Sequence, residues 1–214
     1  TTGRQPYLFS SMVSAADAIG ASSSTVSTVW DREFGFLKEV LVAPVPRWAV
    51  AVGKSFGGAT TALVQVMILI AIGPLVGIGL SVPIVLNMLV LGFLMSVAVT
   101  SLGVIVASRM ESMASFQMVM NFLVMPLYFL SGAMFPMASA PTWMKALMSV
   151  DPLTYGVDAI RNVMFSATTI DPTGAARPLL EAARAAGLIR WSLGWDLALM
   201  TLSAVLLTAA GAWT

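Results

Sequence analysis

The chain has 214 residues, of which 58% are hydrophobic and only 10% charged, with a net charge of +1 and a mean hydropathy of +0.89; soluble domains are roughly half apolar and about a quarter charged. That composition excludes an ordinary soluble fold, and the lack of a dense basic cluster excludes nucleic acid as a partner. Cysteine and histidine are both absent, which removes thiolate nucleophiles, disulfides, imidazole bases and the commonest soft metal ligands, so no metal site is expected.

The chain opens Thr1, Thr2, Gly3 without a methionine and stops at Thr214 after an apolar run, so both ends read as cut, and no signal-peptide pattern is visible. Tyr7 to Trp30 is the first candidate span, although Asp17 and several serines make it too polar for an isolated lipid-facing helix. It fits a span buried among other helices, where small residues pack closely and hydroxyls satisfy backbone groups; the alternative is a surface helix or loop.

Asp31 to Lys54 is a polar stretch whose basic residues, Arg32, Lys38, Arg47 and Lys54, place it in the cytoplasm by the positive-inside rule. On a helical wheel Phe34, Phe36, Leu37, Val40 and Leu41 share one arc and Asp31, Arg32, Lys38 and Glu39 the other, which predicts an amphipathic helix over Asp31 to Leu41 on the membrane surface. Glu33 falls inside the apolar arc, where a carboxylate needs a partner or an escape to water. Insertion into a groove on a cytoplasmic protein and an ordinary interfacial helix fit this pattern equally. Pro44 and Pro46 end the helix, and Arg47 and Trp48 suit the interface. Gly53, Lys54 and Ser55 look like the end of a phosphate-binding loop, but the position that needs a further glycine is Trp48 and no strand precedes it.

Phe56 to Leu80, about 25 residues without a charge, and Ile84 to Ser108 form two spans joined by Ser81, Val82 and Pro83, a helical hairpin. After Arg109 and Glu111, Ser115 to Phe135 is a further span, with Gly132 and Pro136 as stop signals. Gln117, Asn121 and Tyr128 fall within about 40° on its wheel, a polar stripe that faces protein or water and is a candidate transport path. Hydrogen bonding between helices is the commoner purpose of such a stripe. The spacings Gly53 to Gly57 and Gly73 to Gly77 permit helix contact but are frequent by chance.

The region 136–196 is placed on the external side. Pro141 and Thr142 start one short helix with an apolar face of Trp143, Ala146, Leu147 and Val150; another begins at Leu153, with Asp158 and Arg161 at a spacing that predicts a helix-surface ion pair. Both short helices are expected at the external interface or dipping into it. Asp171 to Ala186 reads as a loop leading into a short polar surface helix. A last span runs from Leu197 to Trp213. The expected fold is all-α, a polytopic membrane helical bundle forming a single transmembrane domain over 1–214.

Three segments carry a family resemblance: Trp30 to Pro46, WDREFGFLKEVLVAPVP, followed by Arg47; Leu130 to Pro136, LSGAMFP; and Asp151 to Arg161, DPLTYGVDAIR. In this order and spacing, and over nearly the whole chain, they resemble the ABC-2 type exporter permeases, especially the daunorubicin-exporter-like branch. The resemblance implies a six-span pattern lacking its first span here, so that about five are present and Tyr7 to Trp30 is the second. It implies that Asp31, Arg32, Glu33, Phe34, Phe36, Leu37 and Lys38 belong to a coupling helix that docks on a separate ABC ATPase. That partner would bind ATP and Mg, and this chain would hold no cofactor and would not itself be an enzyme. Also implied are a permease homodimer or closely related heterodimer amid lipids of the bacterial inner membrane, and export of small amphiphilic molecules, drug- or lipid-like. The main alternative is an ion-gradient-driven secondary transporter, which is expected to bury ionisable residues at mid-span.

Overall fold

The structure, a computed structural model, describes residues 4–26, 29–30, 46–76, 78–110, 112–134, 140–167 and 177–213. Among these every element is helical: α1 (Arg4–Ser24), α2 (Arg47–Ile72, continued by a 3-10 turn at Gly73–Val76), α3 (Val82–Ala107), α4 (Met113–Leu130), α5 (Thr142–Met148), α6 (Pro152–Ala167), α7 (Arg177–Ala185) and α8 (Leu193–Trp213). Trp48–Leu75, Val82–Ala107, Met113–Leu130 and Leu193–Trp213 are each long and apolar enough to cross a membrane. The chain is therefore an all-α integral membrane protein.

The helix ends follow from local chemistry. Pro46, extended at φ −65°, is the last residue before α2. At its other end Pro74 lacks a backbone N–H, and the helix tightens there into the 3-10 turn. Ser112 caps α4 by accepting the Ser115 N–H at 3.3 Å. The left-handed conformation after α4 falls on Gly132, at φ 76°, where only glycine is free of a Cβ penalty. Asp151 caps α6, its carboxylate accepting the Leu153 N–H at 3.0 Å, with Pro152 at the first helical position.

α1, α3 and α8 run in one direction and α2 and α4 in the other. Ser96 on α3 donates to Asp17 on α1, and Thr100 lies one turn on against the Ala21 carbonyl. Ser101 on α3 bonds Thr208 on α8 at 2.9 Å and Ser55 on α2 at 3.1 Å. Where α1 crosses α2 and α3, Gly20 lies against the Gln65 side chain and Gly103 against Thr25. α1 is not among the four apolar helices; its polar residues Ser10, Ser14 and Asp17 are buried inside the bundle.

The observed elements shift several expectations. α2 begins at Arg47, so the end of the stretch 31–54 is already membrane helix, and Pro83 lies in the first turn of α3 rather than in a turn between helices. The last helix begins at Leu193 and includes Asp196, which is fully buried. The expected external helices also differ. α5 exposes Trp143 and Leu147, whereas every residue of α6 from Leu153 to Phe165 is buried, enclosed by α1, α3 and α8. The surface ion pair expected at Asp158 and Arg161 is overturned: both are buried at 1% exposure, because each side chain satisfies backbone groups of a different neighbouring segment.

Candidate functional site

A groove of about 260 Å³ runs between α1 and α4. α1 lines it with residues that recur at helical spacing, Ile19, Ser22 and Ser23, followed just past the helix by Val26, and α4 presents Gln117, Asn121, Met125 and Tyr128. The polar stripe read from sequence thus faces one continuous groove. Gln117 and Asn121 are exposed to it and Tyr128 is half-buried. Ser22 and Ser23 donate to the Ile19 and Gly20 carbonyls of their own helix, at 2.8 and 2.9 Å, leaving their oxygen lone pairs as acceptors. Pro126, inside α4, cannot donate to the Phe122 carbonyl one turn earlier, which leaves a second acceptor without its helical donor. The groove is therefore amphiphilic, with amide and hydroxyl groups set among methionine, valine and isoleucine side chains. It holds no charged side chain among the lining residues.

The groove is anchored at both ends. Toward Trp30, Val29, Ala107, Phe116 and Met120 pack together and fix α4 to α1 and α3. Toward Tyr7, α6 supplies Arg161. Its Nη2 donates to the Gly132 carbonyl at 2.6 Å, the Ala133 carbonyl at 3.2 Å and the Ser11 hydroxyl at 3.4 Å. The guanidinium lies 4.5 Å over the Tyr7 ring. One turn earlier Asp158 accepts the Arg190 N–H at 3.0 and 3.1 Å and the Trp191 N–H at 2.9 Å. Asn162 donates to the Trp191 carbonyl at 3.3 Å, and Tyr155 stacks on the Trp191 ring at 4.9 Å and donates to the Ser149 carbonyl. Burial pushes the Asp158 carboxyl above its ordinary range, with the Trp191 and Arg190 amides pulling it back. Burial likewise pushes Asp151 up to about 7, against the Leu153 and Thr154 donors.

Of the residues singled out from sequence, Asp31, Arg32, Glu33, Phe34, Phe36, Leu37 and Lys38 lie outside the described residues. Sequence reasoning missed the Arg161 contacts and the place of Pro126 inside α4. It also missed the burial of Asp196, whose two carboxylate oxygens, like Asp17 Oδ2, have no hydrogen-bond partner among the described residues. Asp17 was a usable signal, a carboxylate among the serines and small residues of α1.

Membrane-crossing helices around an amphiphilic groove, with ionisable groups held inside the bundle, define a polytopic membrane protein. The chain belongs to the ABC-2 type transporter family, whose pattern matches residues 6–165. It is 29% identical over 145 residues to the provisionally named transport permease ycf38 of Cyanophora paradoxa, covering 66% of this chain and 50% of that protein. It is 24% identical over 169 residues to the provisionally named multidrug ABC transporter permease YbhR of Escherichia coli strain K12, covering 77% and 45%. It is 20% identical over 164 residues to the provisionally named doxorubicin resistance ABC transporter permease protein DrrC of Mycobacterium tuberculosis strain H37Rv, covering 72% and 56%. The last match accords with the daunorubicin-exporter-like resemblance. The chain spans about half the length of the curated relatives it matches.

Proposed function

We propose that this chain is the transmembrane permease subunit of an ATP-driven exporter of small amphiphilic molecules, working as a dimer with a separate ABC ATPase in a bacterial inner membrane. The observation that carries the reading is the groove between α1 and α4, where Gln117, Asn121 and Tyr128 face Ile19, Ser22 and Val26. Such a lining suits a cargo with both apolar surface and hydrogen-bonding groups. ATP is bound with Mg and hydrolysed on the partner. Closure of that partner is passed to the permease through Asp31, Arg32, Glu33, Phe34, Phe36, Leu37 and Lys38. Glu33, the carboxylate on the apolar arc, meets a basic group there.

The test is purification of the full-length permease from detergent-solubilised membranes and an ATPase assay on what accompanies it. A stoichiometric ATPase is expected. Glu33→Ala is expected to leave membrane insertion intact and to abolish the stimulation of export by ATP; normal coupled export by that variant sinks the coupling assignment. Asn121→Leu is expected to change cargo range or rate with expression unaltered, whereas reduced expression alone would assign the stripe to helix packing.

One observation favours a second reading, transport driven by an ion gradient: Asp17 and Asp196 are buried in the bundle with unpartnered oxygens. Export by ATPase-free proteoliposomes under an imposed proton or sodium gradient would select it.

A further inference from the structure

We propose that Arg161 is a positioning residue that closes the Tyr7 end of the groove between α1 and α4, and that cargo passes that end only when its guanidinium lets go. The inference rests on reading the groove as the cargo path. Followed along α1 from Ala18, the groove points toward Ser11 and Tyr7; followed along α4 past Tyr128, it points toward Gly132 and Ala133. Arg161 touches all four of these residues, so one planar group bridges the two walls. Spreading the walls means breaking those contacts.

Two features make this a latch rather than a fixed strut. The partners of the guanidinium are neutral oxygens and a ring, and its Nε is buried without a partner, so opening to water returns hydration that the closed state forgoes. Asp158, one turn away, is pinned to the Arg190 and Trp191 amides ahead of α8. α6 therefore stays in place as a post while Arg161 releases α1 and α4. The planar guanidinium lies over the Tyr7 ring while its Nη2 serves the three oxygens; a lysine keeps the charge and the donors but loses that flat face.

The segment has no cysteine, so once any thiols elsewhere in the full-length permease and its ATPase are replaced by serine, a cysteine introduced at Asn121 is the sole thiol reporter. In proteoliposomes holding the full-length permease with its ATPase, a membrane-impermeant maleimide is expected to label that thiol about tenfold faster with Arg161→Gln than without it, Arg161→Lys falling between. An unchanged labelling rate in an Arg161→Gln protein that melts at the parent temperature overturns the latch. If that variant does not fold, cysteines at Ser11 and Ala133 joined by a short bismaleimide are used. The link is expected to cut export of a fluorescent amphiphile about tenfold while the ATPase stays bound; undiminished export by the fully linked protein overturns the proposal. Faster labelling together with normal export by Asn121→Leu keeps the latch and removes the path reading, so the two fail separately.

Discussion

α6 carries Asp158, Arg161 and Asn162, yet all its residues from Leu153 to Phe165 are buried. α4 carries no charge, yet only Phe116 and Met120 of its 18 residues are buried, and Phe122 is 82% exposed. In a water-soluble protein the two would trade places. In a membrane the apolar helix is already solvated by hydrocarbon, while the polar one must be surrounded by protein that answers its hydrogen bonds. Hydropathy along this chain therefore reports which helices can meet lipid. Position in the bundle is reported by polarity and small residues.

The strongest way to break that contrast is to remove an anchor of α6. Asp158→Ala leaves the Arg190 and Trp191 amides without their acceptor, and each buried donor left unsatisfied costs about 1–3 kcal/mol. Phe122→Ala on α4 should stay within about 0.5 kcal/mol, as for surface changes elsewhere. Thermal unfolding of the full-length protein in one detergent compares them. Equal shifts would refute the inverted reading of the two helices.

A second test uses pH. Asp151 caps α6, and burial pushes its carboxyl from 3.8 up to about 7. The native state thus binds more protons than the unfolded state between those values. Stability contributed by the neutral form is full at the acid end, falls as pH rises from about 4 to 7 and is gone above, a change of at most about 4 kcal/mol. Asp151→Asn keeps a capping oxygen and cannot ionise, so its unfolding temperature should lose this slope. A slope unchanged in Asp151→Asn would assign the pH dependence to another group.

Four of the expected spans were legible in the sequence because a bilayer demands long uncharged runs, whereas the expected span over Tyr7 to Trp30 is not among those four, and the family resemblance was legible in three short segments. Helix ends were less so: Asp196 reads as the end of a polar loop but belongs to the first turn of α8, since protein rather than lipid surrounds it. The stripe of Gln117, Asn121 and Tyr128 was readable because one helix face is a local property. That α1 supplies the opposite wall was not, as it depends on a crossing between residues about a hundred positions apart in sequence. Asp158 and Arg161 misled for the same reason. Their spacing permits a mutual surface pair, but tertiary acceptors and donors outbid it once the helix is enclosed.

The smallest effect concerns how closely α6 approaches α3. A methyl group on Gly156 would lie 2.6 Å from Met95 Sδ and 3.0 Å from its Cγ, whereas one on Gly57 of α2 would meet nothing within 4 Å. Met95 is itself buried at 2% exposure, so its thioether has little room to swing away, and Gly156→Ala should cost about 1–3 kcal/mol by overpacking. Gly57→Ala should instead stabilise by about 0.5–1 kcal/mol, because alanine is the better helix former where nothing opposes it. The two substitutions change the same atoms in the same kind of element, so opposite signs in matched unfolding experiments isolate the close contact of α6 with α3. A stabilising Gly156→Ala would mean that α6 sits farther from α3 than Met95 allows here, and the enclosure of α6 would have to be redrawn.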